Sequence, residues 1–321
     1  MNAKPSSYRD QQAWKDLQAL LPERLRLTDA TAPQEEFWKY RGHEVHLDRY
    51  VNSKAPAKVI LHHGVGTNGR QMSLILGAPL ARRGLETVAL DNLGYGLTRV
   101  APGTNFAYDD WVDLVVDFVA DEQSRDNRPI VLYGLSAGGM LTYHVAAKAP
   151  KGALRGIVGM TFLDQRSQQV RDETAHDILT SRLGVPLMGL LEKTKAANLR
   201  YPMTLVSKMS ALANNEEAMK IFLRDSTSAA NSMSVRFLDT YGNYTPAIEP
   251  EQFDRCPVLL TQPAKDRWSP LHLSQPFLSR ISKVKVDTVM LENAGHYPME
   301  EPGLQQMEDA IADFILRVTS S

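Results

Sequence analysis

A serine, an aspartate and a histidine, each standing just past an apolar run, are the residues of this chain whose types suit nucleophilic chemistry. Ser136 sits in GLSAG (Gly134 to Gly138), Asp266 in QPAKDRW and His296 in ENAGHYPMEEP. A serine hydroxyl is a weak nucleophile until a base takes its proton, and an imidazole serves best when a carboxylate fixes its tautomer. Ser136, His296 and Asp266 supply those three parts. The G-x-S-x-G spacing suits a serine held on a sharp strand-to-helix turn. Such a pentapeptide also arises by chance in roughly one chain in ten of this length. By itself it leaves a helix-start serine open, just as His296 alone could be a surface loop histidine.

A triad needs elements that carry its members to one place. Ile130 to Tyr133 reads as a short buried strand, and Ala137 to Ala147 as a helix with Met140, Tyr143, His144 and Ala147 on related faces. Upstream, Phe37 to Tyr40 and Glu44 to Tyr50 read as a hairpin around Arg41-Gly42, Lys58 to Leu61 and Glu86 to Leu90 as strands, and Gln71 to Arg83 as a helix. Asp109 to Glu122 is a helix with Trp111, Leu114, Val115 and Phe118 inward, and Leu154 to Leu163 a further strand. This recurrence predicts an α/β fold with a mostly parallel central sheet and helices on both faces.

The rhythm breaks over Asp164 to Pro250, where helical patches (Met203 to Leu212, Glu216 to Leu223, Ser228 to Thr240) occur without a buried strand. It resumes with strands at Pro257 to Thr261 and Val284 to Leu291, a helix around Pro270 to Ile281 and a closing helix from Leu304 to Val318. The predicted organisation is an N-terminal helical extension (1–32), a core (33–164 and 251–321) and an inserted helical cap or lid (165–250). In the extension, Trp14, Leu17, Leu20 and Leu21 form one apolar stripe expected to pack on the body. Ligands of open parallel sheets bind past the carboxyl ends of the strands. Four such ends carry polar groups: His62 to Gly66 (HHGVG), Ser136, Asp266 and His296; Asp164, past the strand before the cap, is a second candidate acid.

Composition narrows the remaining classes. With 36 Lys and Arg against 37 Asp and Glu, the net charge is -1, so nothing draws the chain to nucleic acid. One cysteine, Cys256, forms no internal disulfide and reads as a buried thiol. Met1 to Asp10 is polar, unlike a signal peptide, and a cytoplasmic location is expected. The longest apolar stretch, Gly184 to Leu191, falls far short of the roughly 20 residues of a membrane span. Gly94 to Gly96 lacks a P-loop lysine and a dinucleotide glycine pattern, so no cofactor is expected. His43, His46, His144, His176 and His272 have no carboxylate or cysteine at metal-ligand spacing, so no metal is expected either. His62 is expected to hydrogen-bond beneath the loop that follows it.

Together, GLSAGG, HHGVG, DNLGYGLT (Asp91 to Thr98) and GHYPMEEP (Gly295 to Pro302) resemble the α/β-hydrolase superfamily, in its branch of serine esterases, lipases and lysophospholipase-like enzymes. The resemblance runs from about Val59 to Leu316. It implies Ser136, Asp266 and His296 as the catalytic triad, with Asp266 favoured over Asp164 because the strand after the cap is that family's usual source of the acid. It also implies backbone N–H groups of Val65 and Ala137 as the oxyanion hole. The expected activity is hydrolysis of a carboxylic ester with an apolar acyl chain, a small-molecule substrate, through an acyl-serine. Alternatives on the same triad are C–C bond hydrolysis, acyl transfer and perhydrolysis; a ligand-binding protein without turnover is the distant one. Apolar cap residues (Leu187, Met188, Leu190, Leu191, Met203, Met209, Met219, Ile221, Phe222, Met233 and Phe237) either line a pliable acyl pocket or form the cap's own core. Arg182, Lys193, Lys195 and Arg200 are the candidates to meet a polar head group.

Overall fold

Arg41 and Gly42 both adopt positive φ, 47° and 84°, the two-residue turn whose twist matches that of the strands it joins. It closes a hairpin of Gln34–Tyr40 (β1) and His43–Tyr50 (β2). The computed structural model describes residues 6–320, and all their side chains but those of Leu183, Val185 and Pro186. Further strands follow at Lys58–His62 (β3), Glu86–Leu90 (β4), Ile130–Gly134 (β5), Gly156–Gly159 (β6), Arg200–Pro202 (β7), Ser232–Ser234 (β8), Val258–Pro263 (β9) and Val286–Leu291 (β10). One eight-stranded sheet runs β1-β2-β4-β3-β5-β6-β9-β10. The hairpin joins it antiparallel, and every pair from β4 to β10 is parallel.

The central strands are mostly apolar and buried along their whole length because helices cover both faces. β3, β4, β5 and β9 are buried at every position. The helix Tyr108–Arg125 turns Trp111, Leu114, Val115 and Phe118 inward, all fully buried, and Gly303–Thr319 buries Ile311, Phe314 and Ile315. Among the described residues no helix is long and apolar enough to cross a membrane. Burial pushes the Cys256 thiol up to about 12.

Several elements differ from the sequence reading. The helix expected over 71–83 is a helix at Gly69–Met72 and another at Ala78–Arg82 joined by a π turn at Ser73–Gly77. The segment between β6 and β9 is not purely helical: β7 and β8 pair antiparallel, and Met233 faces inward where a helix was expected. Alternation over so few residues is too short to stand out from helical spacing. In the N-terminal stripe Trp14, Leu17 and Leu21 are buried, but Leu20 is exposed, because the helix Gln12–Ala19 ends before it.

A buried ionic cluster fixes that N-terminal segment. Arg70, 1% exposed, bonds both oxygens of Asp48 through Nε (2.5 Å) and Nη2 (2.9 Å), and stacks on the rings of Tyr8 and Trp14. His46 lies 3.1 Å from both Glu35 and Asp91. Burial opposes its charge, yet bonds to Asp91 and Glu35 raise it to about 10. Asp91 also accepts from the Tyr8 hydroxyl and from the Gly69 and Leu97 N–H groups. The DNLGYGLT motif is therefore structural: a Cβ on Gly96 (φ 49°) would overlap the Asp91 carboxylate.

His62 and His144 behave oppositely. Burial lowers both from 6.5 to about 3, so they stay neutral in the fold while the unfolded chain protonates them below 6.5. Their contribution to stability is whole above that value and is lost as pH falls from 6.5 toward 3. At about pH 5.5 each should have cost the protein about 1.4 kcal/mol. His62→Leu should therefore flatten the acid limb of a melting-temperature profile between about pH 7.5 and 5.5. A slope unchanged by the substitution would refute this.

Candidate active site

β5 hands the chain to the helix Ala137–Lys148 through Ser136, whose backbone stands at φ 57°, ψ -125°. A non-glycine residue there is strained by about 1–3 kcal/mol and persists only where its surroundings enforce it. The enforcement is steric: a Cβ on Gly134 would fall 1.9 Å from the Gly138 carbonyl oxygen. Gly64, past β3, also approaches too closely for a side chain, since its Cβ would meet the Ser136 Cβ at 2.7 Å. The two glycine-bearing loops are in contact at the serine.

The loop past β3 is held by hydrogen bonds. His63 Nε2 accepts from the Asn92 N–H (2.9 Å), so the ring proton is on Nδ1 and is donated to the Gly64 carbonyl at 2.7 Å. That carbonyl shares a peptide plane with the Val65 N–H, which a trans peptide points the opposite way. Tyr95 donates to the Val65 carbonyl at 2.7 Å and Thr67 accepts from the Gly64 N–H at 3.0 Å. The Val65 and Ala137 N–H groups make no hydrogen bond among the described residues. Both residues line the same cavity as Ser136. His62, expected to bond beneath this loop, is buried with neither ring nitrogen bonded; its neighbour His63 holds the loop. The doubled histidine in HHGVG was the signal, and which of the two turned toward the loop was not in it.

Past β9 and β10, Asp266 and His296 meet. His296 Nδ1 lies 2.9 Å from Asp266 Oδ2 and 2.9 Å from Ser269 Oγ, which itself donates to Asp266 Oδ2 (2.8 Å). Asp266 Oδ1 accepts from the Trp268 and Ser269 N–H groups, each at 2.8 Å. Burial works against this carboxylate's charge, but the His296 ring and these donors hold it down to about 2. His296 is fully buried, with Trp268 tilted over it at 4.7 Å. Its Nε2 is unbonded, an orphan in a region where buried polar atoms are almost always paired. Ser136 Oγ is unbonded as well among the described residues. Gln262-Pro263, standing before the acid turn, does not prevent the pairing. Asp164, the other candidate acid, is taken instead by Arg166 (2.8 Å), which also holds Glu249. Ser269 was missed because a serine three residues after an aspartate carries no signal of its own.

The cavity in front of Ser136 has a volume of about 410 Å³. Its walls are mostly apolar, among them Leu163, Leu187, Leu191, Met203, Leu238 and Trp268. Of the named methionines only Met188 and Met203 reach it; Met209, Met219 and Met233 are buried elsewhere, and Leu190 is exposed. Arg182, Lys193, Lys195 and Arg200 do not line it, whereas Arg171 does.

Elsewhere the fold brings Glu35, His46 and Asp48 within 4.8 Å of one another, at metal-ligand spacing. His46 thus has carboxylate neighbours that the linear sequence hides, Glu35 and Asp91, as does His272 (Glu173), whereas His176 pairs with the adjacent Asp177. The Arg70 guanidinium lies on Asp48 and 3.4 Å from Glu35, so their acceptor oxygens already face a cation.

The model of the alpha/beta hydrolase family matches residues 59–313. No curated protein matches the sequence. Among solved structures, a soluble variant of monoglyceride lipase from Saccharomyces cerevisiae, in complex with a substrate analog, is similar with a TM-score of 0.75 at 15% identity, covering 94% of this chain and 99% of that one. Monoacylglycerol lipase from Paleococcus ferrophilus gives 0.65 at 16%, covering 86% and 99%. A putative lipase from Acinetobacter baumannii gives 0.65 at 18%, covering 97% and 98%. At such identities the likeness is one of fold.

Proposed function

This chain belongs to the alpha/beta hydrolase family, and from that premise we propose that it is a serine hydrolase cleaving a carboxylic ester with an apolar acyl chain. One observation carries the reading: a serine on a strained elbow opens onto an apolar cavity, flanked by two unbonded N–H groups. His296 Nε2 takes the Ser136 proton as Oγ attacks the ester carbonyl. Asp266 keeps the ring proton on Nδ1 and stabilises the imidazolium. The Val65 and Ala137 N–H groups receive the oxyanion, and losing one such donor typically costs about 2.7–4 kcal/mol. Collapse sends the alcohol out with the proton from His296, and water then repeats the sequence on the acyl-serine. Residues 165–250 act as the cap, contributing Leu187, Leu191, Met203 and Leu238 to the acyl-binding wall and excluding water. Two proteins of similar fold are named monoglyceride lipase and monoacylglycerol lipase, which supports the ester assignment.

A fluorophosphonate probe tests the reading. One covalent adduct on Ser136 is expected in the folded protein and none after denaturation. A panel of p-nitrophenyl esters from acetyl to palmitoyl should show turnover favouring the longer chains that fill the cavity. Absence of both adduct and turnover removes the proposal.

A further inference from the structure

The catalytic cavity carries a single cationic side chain among its described lining residues, Arg171, and its surroundings leave that charge unmatched. Among the described residues the guanidinium reaches only neutral acceptors: Nη1 donates to the Gln165 carbonyl (3.2 Å) and Nη2 to the Gln168 side-chain oxygen (3.0 Å). Nearby arginines differ. Arg166 is paired with Asp164 and Glu249, and Arg182 with Asp172. Asp239, the one carboxylate among the described residues of the cavity wall, forms no ion pair with Arg171, and one of its oxygens is taken by Asn243 (3.0 Å). Burial, and then Glu192, raise its pKa.

Arg171 and Asp239 also border a second, polar pocket of about 580 Å³, whose other walls include Gln168, Ser181, Arg182 and Asn243. The two spaces share a wall. An apolar chamber holding the nucleophile thus adjoins a hydrogen-bonding chamber, with an unpaired guanidinium at the boundary.

We propose that Arg171 is a specificity residue for an anionic group, phosphate or carboxylate, on an ester whose apolar chain occupies the Ser136 cavity. This rests on the ester-hydrolase reading and narrows its substrate class from neutral to anionic amphiphiles. A planar guanidinium presents two parallel donors to either oxyanion, and burial of the rest of the ligand strengthens the pairing.

Two matched pairs of substrates, given to the full chain, test it. The first is p-nitrophenyl decanoate against the mono-p-nitrophenyl ester of decanedioic acid, which places a carboxylate at the acyl end. The second is decanoylglycerol against its glycerol phosphate counterpart, which places a phosphate on the alcohol. Arg171→Met should lower kcat/KM for the anionic member of at least one pair by about 10- to 100-fold, chiefly through KM. Its neutral counterpart should change less than about threefold, and Arg171→Lys should recover part of the loss. Which pair responds identifies the anion and its place on the substrate. If Arg171→Met affects neutral and anionic members alike, or neither, the anion site is wrong while hydrolysis at Ser136 stands. If wild-type protein neither takes the fluorophosphonate label nor hydrolyses any of the four, both proposals fall.

Discussion

Asp266→Asn is expected to lower kcat by about four orders of magnitude while KM moves only a few-fold. The cause is the geometry around this carboxylate. Oδ1 receives two backbone N–H donors and Oδ2 faces His296 Nδ1 and the Ser269 hydroxyl, so every neighbour calls for an acceptor. An amide must turn its NH2 toward one side. Keeping the two backbone bonds points the NH2 at Nδ1, which can then only accept, and the ring proton moves to Nε2 where the serine proton should go. The cavity in front of Ser136 is untouched, so binding there is expected to survive. Steady-state rates on a p-nitrophenyl ester, with circular dichroism to show an intact fold, decide the matter. A variant retaining a tenth of the wild-type rate would exclude Asp266 as the acid and return attention to Asp164.

The largest effect on stability should come from Asp48→Ala. It leaves the Arg70 guanidinium at 1% exposure with only the more distant Glu35 for a carboxylate partner. Breaking a buried pair by removing one member typically costs about 3–5 kcal/mol, which for a chain of this size lowers the melting temperature by about 4–7 °C. Adding Arg70→Met should recover much of that, because the penalty lies in the stranded charge and a thioether can still pack against Tyr8 and Trp14. Scanning calorimetry on the two variants measures both shifts. A single variant melting within 2 °C of wild type would show that the cluster is solvated and its geometry incidental.

These two predictions draw on information of different kinds. Asp266, His296 and Ser136 were legible because strand-end position, local glycines and chain order are all linear properties of the sequence. The alternating strands and helices were legible for the same reason, through apolar spacing. Asp48, Arg70 and His46 were not, since a charged residue in sequence reads as solvated, and only the packing of the helix Gly69–Met72 against β2 brings Arg70 to Asp48. Arg171 was hidden for a related reason. Its sequence neighbours include Asp172 and Glu173, which suggest a paired surface charge, but Asp172 turns to Arg182 and Glu173 to His272. Likewise the choice between His62 and His63 depended on which ring meets Asn92, a contact across 29 residues.

The family match begins at residue 59, yet Arg70 finds its carboxylates on β1 and β2, and Asp91 its phenol on Tyr8. Recognisable ancestry and cooperative folding unit therefore have different borders in this chain. Trimming to the shared segment would strip the two outermost strands from one side of the sheet and uncover an arginine whose ion-pair partners among the described residues all lie on them. The opening stretch of the polypeptide is better regarded as a keystone than as a preface.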